Sequence, residues 1–282
     1  MKLFNLWTKN GALNSRPVFE AFAEGAKQLG YSVEYNMPKS KGIDVIWSVL
    51  WQGTMAKSQV IWQRNMANKT PIVVLEVGAL NRGKLWKVGV DGINNRAYFG
   101  PSDNDDTRAR SLNIEMKDWR HKDGPILIAA QHNKSAQWGS PESQDIWTVQ
   151  TMKEIRKQTD RKIILRPHPR FLWTPSWTPS NFEIQKPNKL ANTYDDFDFD
   201  VDSAYCVVNY SSNPGILAAL NGVPIFTTKH SLAHKVGNIN MSDINEPSTP
   251  DRQQWLNDLV YTEWSTEEIA TGEPLNRLTS RL

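Results

Sequence analysis

The chain has 282 residues, enough for two domains of ordinary size, and 33 Lys plus Arg against 30 Asp plus Glu leave a net charge of +3, which excludes a histone-like polycation. A single cysteine, Cys206, excludes a disulfide framework or thiolate metal site within one chain, and the five histidines are scattered without metal-ligand spacing. No signal-type segment and no apolar run of about 18 residues occurs, so the expectation is a soluble, cytoplasmic monomer or homodimer without membrane insertion. Charge is uneven: residues 1–118 hold 16 basic and 11 acidic side chains, residues 119–282 hold 17 and 19. A basic first half suits an anionic partner there; ordinary scatter is the alternative.

In chain order, Leu3 to Trp7 reads as a strand and Lys9 to Asn14 as a polar loop. Pro17 opens a helix whose apolar face is Val18, Phe19, Phe22, Ala26 and Leu29, stopped by Gly30. Strands are predicted at Tyr31 to Tyr35, Asp44 to Val49 and Pro71 to Leu75, with a helix from Met55 to Met66. Such alternation predicts a mainly parallel sheet with helices on both faces. Gly100 to Arg110 is a polar loop and 117–124 is charged, which places a domain boundary near 116–124. Beyond it come a strand at 126–129, a helix at 143–158, strands at 162–165 and 204–208, a helix at 214–221, a strand at 223–226 and an amphipathic tail from Asp251. The acidic run Asp195 to Asp202 lacks the glycine and closing glutamate of a calcium loop and reads as solvated.

Two segments carry chemistry. In Ile163-Ile164-Leu165-Arg166-Pro167-His168-Pro169-Arg170 an apolar strand ends in two arginines and a histidine, and the prolines bias Arg166 and His168 toward extended backbone. In open α/β sheets the carboxyl ends of strands hold ligands, and guanidinium suits phosphate; a solvated loop is the other reading. In Asn209-Tyr210-Ser211-Ser212-Asn213-Pro214-Gly215 a strand turns into a helix, with Asn213 as predicted N-cap, Pro214 at the first turn and two hydroxyls beside free backbone N–H groups. Together they predict a diphosphate site.

The segments ILIAAQHNKSAQW, IILRPHPR, NYSSNPGILAALNGVPIFT and DRQQWLNDLVYTEWSTEEIATGEPL resemble, in the same order, motifs of bacterial capsule and phage glycosyltransferases of the GT-B type. PIVVLEVGALNRG and WKVGVDGINNRAYF resemble that group more loosely. The resemblance implies an α/β GT-B fold: two Rossmann-like domains facing across a cleft, with C-terminal helices packing across the boundary. Residues 1–118 would be the acceptor-binding domain and 125–282 the nucleotide-sugar-binding domain with its helical tail. It implies sugar transfer from a nucleotide-diphosphate sugar, UDP-linked in the first instance, by an inverting mechanism and without a tightly bound cofactor or metal.

On that reading Gln131, Arg166, His168, Arg170, Thr193, Ser211, Ser212, Asn213 and Gly215 bind the nucleotide sugar. Glu76 is the expected base because it follows a buried strand directly, with Asp91 in reserve; a salt bridge to Arg82 or a capping role is the alternative for Glu76. Asn10, Trp51, Lys84 and Lys87 would bind the acceptor. The basic residues Lys57, Arg64, Lys69, Arg82, Lys84 and Lys87, beside Trp51, Trp62 and Trp86, favour a hydroxymethylated pyrimidine in phage DNA as acceptor. A capsule or lipopolysaccharide glycan is the alternative acceptor, and a nucleotide-sugar epimerase or non-catalytic binding protein the alternative on the same fold.

Overall fold

The computed structural model describes residues 2–190 and 197–282. The first elements are β1 (Leu3–Leu6), α1 (Arg16–Gln28), β2 (Ser32–Tyr35), β3 (Ile43–Trp47), α2 (Ser58–Asn68), β4 (Ile72–Val77), β5 (Trp86–Val90) and α3 (Thr107–Ser111). There follow β6 (Ile126–Ala129), α4 (Gln144–Gln158), β7 (Ile163–Arg166), β8 (Phe182–Ile184), β9 (Cys206–Asn209), α5 (Asn213–Leu220) and β10 (Ile225–Phe226). The chain closes with α6 (Gln253–Leu259), β11 (Glu263–Trp264), α7 (Thr266–Thr271) and α8 (Glu273–Leu278).

These form two compact units, residues 1–114 with 253–282, and residues 115–252. In the first, the strand order is β11-β5-β4-β3-β1-β2; β4, β3, β1 and β2 are mutually parallel, whereas β5 runs antiparallel to β4 and to β11. The apolar stripe of α1 is buried through Val18, Phe19, Phe22 and Ala26, as its spacing requires, but Leu29 lies just past the helix and is exposed. In the second unit all five strands are parallel in the order β10-β9-β6-β7-β8. Counted within the unit this is 3-2-1-4-5 read from β8, the Rossmann order, and the connections reverse direction between β6 and β9.

The tail departs from the expected 125–282 division. Residues 253–282 complete the first unit instead. Arg108 of α3, in a stretch expected to be loop, is buried with its guanidinium 4.0 Å over the Trp264 ring. It donates to the carbonyls of Val260 (2.9 Å) and Glu263 (2.8 Å) and pairs with Glu268. Glu268 also closes a capping box with Ser265 at the start of α7. Where α1 crosses α7, a Cβ on Gly25 would stand 2.2 Å from the Ile269 carbonyl, so only glycine permits the approach. Arg252 meanwhile closes the second unit: it donates to the carbonyls of Ala219 and Lys117 and lies 3.8 Å over the Trp119 ring. The Asp-Arg-x-x-Trp-Leu and Glu-Glu-Ile-x-x-Gly segments are therefore scaffold for the chain's return.

Candidate functional site

The second unit gathers polar side chains where β6, β7 and β9 end, at the point where the strand order reverses. Gln131 follows β6 and Ser211 follows β9; the Ser211 hydroxyl donates to Gln131 Oε1 at 3.0 Å, so the bond bridges the reversal. Gln131 is 5% exposed, and its amide nitrogen has no hydrogen-bond partner among the described residues. A buried donor without an acceptor is costly, and an oxygen of a bound ligand is one partner that would satisfy it. Ser212, rather than the expected Asn213, is the N-cap of α5, in extended backbone (φ −75°, ψ 161°), with Pro214 in the first turn. Asn209 donates to the Ser212 carbonyl at 2.8 Å, and a Cβ on Gly215 would stand 2.5 Å from Asn209 Oδ1, so glycine lets the helix start close on β9. That helix starts at the same strand ends as Gln131 and Ser211, with its positive dipole end there.

His132 is buried beside Gln131; its Nδ1 accepts from the Lys134 backbone N–H at 3.0 Å and its Nε2 has no partner among the described residues. Burial, helped by the charges of Lys134 and Arg170, holds its pKa below the usual histidine value, so the ring is neutral at pH 7. His168, after β7, accepts from the Arg170 backbone N–H in the same way at 3.1 Å, and the two rings meet edge to face with centroids 5.0 Å apart. Arg170 itself is exposed.

Arg166 is not presented to a phosphate. It is 5% exposed, pairs with Asp198 Oδ1 at 2.8 Å, donates to the Asp198 carbonyl and reaches Gln185 at 3.3 Å. Burial pushes the Asp198 carboxyl up, but hydrogen bonds from Arg166 and Asn188 outweigh it and hold the pKa below the usual range. The guanidinium thus fastens the 197–200 segment to the sheet. Thr193 lies outside the described residues.

In the first unit Glu76, Asn10, Trp51 and Lys87 share the end of the sheet where the parallel strands finish. Glu76 accepts from the Ser48 hydroxyl at 2.5 Å and from the Val77 backbone N–H at 2.8 Å. Ser48 follows β3 in left-handed backbone, φ 61°. Asn10 is buried in the turn after β1, and Trp51 is half-buried with its ring 6.3 Å from that of Trp62. Glu76 on β4, Lys87 on β5 and Glu263 on β11 stand opposite one another across three strands. Lys87 is buried, with Nζ 4.0 Å from Glu263 Oε1, and Glu263 also accepts from the backbone N–H groups of Ala79 (2.6 Å) and Leu80 (2.9 Å). Burial lowers the Lys87 pKa against the pull of both glutamates, and burial raises that of Glu263 against Lys87 and the two amides.

This corrects three expectations. Lys87 cannot reach a DNA phosphate because its ammonium is inside the sheet, and Arg64 is paired with the buried Asp44; Lys84 stays exposed. Asp91 sits at the opposite end of β4, where its carboxylate accepts from the Ile72 backbone N–H at 3.1 Å. That is about 13 Å along the strand from Glu76, so the two do not serve one site. Sequence reasoning had not singled out Ser48, His132 or Glu263. His132 was legible as the neighbour of Gln131 at a strand end, whereas nothing local marks Glu263. Among the described residues no group of three or more His, Cys, Asp or Glu is placed to hold a metal ion, and no helix is long and apolar enough to cross a membrane.

The chain matches no protein-family model and no curated protein. Among solved structures it is similar to KpsC of Thermosulfurimonas dismutans, a beta Kdo 2,7 transferase, at 16% identity and TM-score 0.55 over 99% of this chain and 100% of that one. AviGT4, a glycosyltransferase involved in avilamycin A biosynthesis, aligns over 100% of this chain and 99% of that one, but at 11% identity and TM-score 0.30 this defines no shared fold. The likeness to KpsC is one of fold: α/β, with largely parallel sheets.

Proposed function

We propose that this protein is a GT-B-type glycosyltransferase that moves a sugar from a nucleotide-activated donor to a hydroxyl of a glycan, of the capsule or lipopolysaccharide class. The observation that carries the reading is the Gln131–Ser211 bond bridging the strand-order reversal of a Rossmann sheet, with an unpaired amide beside a helix start. In this reading the second unit takes the nucleotide sugar through Gln131, His168, Ser211, Ser212 and the first turn of α5. The first unit takes the acceptor near Asn10 and Trp51. Glu76, held by Ser48, accepts the proton of the acceptor hydroxyl as its oxygen forms the new bond to the anomeric carbon and the nucleotide leaves with the electron pair of the broken one. A single displacement of this kind inverts the anomeric centre.

Two things favour a glycan over DNA. The strand expected to supply a phosphate contact buries Lys87 in an ion pair, and the fold is similar to that of KpsC, a beta Kdo 2,7 transferase. The test is a thermal-shift panel of UDP, GDP, CDP, CMP and their sugars, Kdo included. A ligand at a hundred times its dissociation constant stabilises by about 2.7 kcal/mol. Transfer is then assayed on oligosaccharides and on a hydroxymethylated oligonucleotide, with the product anomer read by NMR. No stabilisation by any member sinks the donor site, and transfer to the oligonucleotide alone reinstates the DNA acceptor.

A further inference from the structure

We propose that His132 is a donor-binding residue whose Nε2–H, together with the Gln131 amide, hydrogen-bonds a phosphate oxygen of the nucleotide donor, the task that the strand-end arginine does not perform. The inference rests on the reading of the second unit as the nucleotide-sugar site.

His132 is 3% exposed, and Nδ1 accepts the Lys134 backbone N–H at 3.0 Å. A ring nitrogen that accepts carries no hydrogen, so in the neutral ring the hydrogen sits on Nε2. That nitrogen is buried and has no partner among the described residues, and the same holds for the Gln131 amide nitrogen one residue earlier. Two adjacent side chains thus hold unused donors at the end of β6, the strand beside the reversal. The Gln131 amide is fixed by Ser211, and the His132 ring by its own turn and by contact with His168 (5.0 Å) and Phe171 (5.5 Å). β6 and β7 are paired at Ala129 and Arg166, and His168 uses the same turn two residues past Arg166, with Nδ1 accepting from Arg170 N–H at 3.1 Å. The loops after two neighbouring strands therefore hold their imidazoles by the same Nδ1 turn. What suits two neutral N–H donors at a strand end is an anionic oxygen. Of the two arginines that follow β7 in sequence, Arg166 is committed to Asp198.

The test is isothermal titration of the wild type, His132→Phe and His132→Gln with UDP, GDP, CDP and CMP and with the matching nucleosides. Phenylalanine keeps a flat ring and removes the donor; glutamine restores an N–H near the Nε2 position. The expectation is a loss of tenfold or more in nucleotide affinity for His132→Phe, an unchanged nucleoside affinity, and recovery of most of the loss in His132→Gln. Nitrogen-15 NMR of the wild type should show the Nε2–H tautomer, with that proton shifting when nucleotide is added; this reading stands even if the phenylalanine variant fails to fold. Equal nucleotide affinity in His132→Phe, an Nδ1–H tautomer, or an unmoved Nε2 proton overturns the role of His132 while the donor site stands. A wild type that binds none of the nucleotides overturns the donor site and this proposal together.

Discussion

Replacing Lys87 by Met tests whether the row across β4, β5 and β11 is a buried charge pair. The Lys87 side chain is 4% exposed and that of Glu263 0%, and Nζ lies 4.0 Å from Oε1. At an effective dielectric of about 20, two unit charges at that distance attract by about 4 kcal/mol. Removing one partner of a buried pair typically costs about 3–5 kcal/mol, because the other charge is left uncompensated. In Lys87→Met, Glu263 keeps the amides of Ala79 and Leu80 and the weaker pull of Arg82. The expected loss at pH 8 is therefore about 4 kcal/mol, or roughly 10 °C in the melting of a unit of this size. The sign with pH follows from Glu263, whose folded pKa burial already raises. Such a carboxyl favours the folded state below its unfolded pKa and loses that advantage as pH rises through the folded value. Loss of Lys87 raises the folded value further, so the deficit is small near pH 4.5 and grows toward pH 8. Adding Glu263→Gln removes the stranded charge and should restore much of the stability. The measurement is thermal unfolding by near-UV circular dichroism between pH 4.5 and 8. A deficit below about 1 kcal/mol at pH 8, or one that does not change with pH, refutes the reasoning.

Three further outcomes are expected. Glu76→Gln keeps the shape and removes the proton acceptor, so turnover should fall about 10²-fold with nucleotide affinity unchanged; a fall of less than tenfold places the base elsewhere, and Asp91→Asn, at the far end of β4, should leave turnover intact. Arg166→Ala should lower stability by about 2–4 kcal/mol at pH 7 rather than act only on nucleotide affinity. Because Asp198 is held below its usual pKa, the stabilisation it gives is present above about pH 4 and lost as pH falls through the folded value, so the Arg166→Ala deficit should shrink in acid; a stable variant with selectively weakened nucleotide binding would restore the phosphate role. Gly78→Ala would put a Cβ 2.3 Å from Glu263 Oε2 and 2.5 Å from the Leu85 carbonyl, and should cost about 1–3 kcal/mol in chemical denaturation; a neutral result would mean that the strand end is not close-packed.

The sequence makes the local parts legible and hides what depends on distant partners. The stripe on α1, the buried run at Ile163–Arg166 and the serine turn before α5 are each set by neighbours in the chain, and they fall where the pattern puts them. β5 escapes notice because Lys87 and Gly89 break what would be the continuous apolar run of a fully buried strand; the neutralising partner of Lys87, Glu263, arrives far downstream from the returning tail. Arg166 misleads for the same reason: a guanidinium at a strand end reads as a phosphate ligand until Asp198 is found to occupy it. Of the candidate site, Gln131 and Ser211 are readable as strand-end residues. The unpaired nitrogen of His132 is not, since it follows from a turn geometry that no spacing encodes.

The return of residues 253–282 to the first unit sets the order in which the molecule can be finished during synthesis. When Arg252 leaves the ribosome, every residue of the second unit has been made, and the Arg252 bonds to Lys117 and Ala219 can lock its two ends together. At that moment the first unit, although translated earlier, still lacks β11, α7 and α8, so the flank of α1 at Gly25 lacks the helix it packs on and Lys87 lacks Glu263. The later half of the chain is thus the earlier to mature, and its N-terminal half waits for the last thirty residues (253–282).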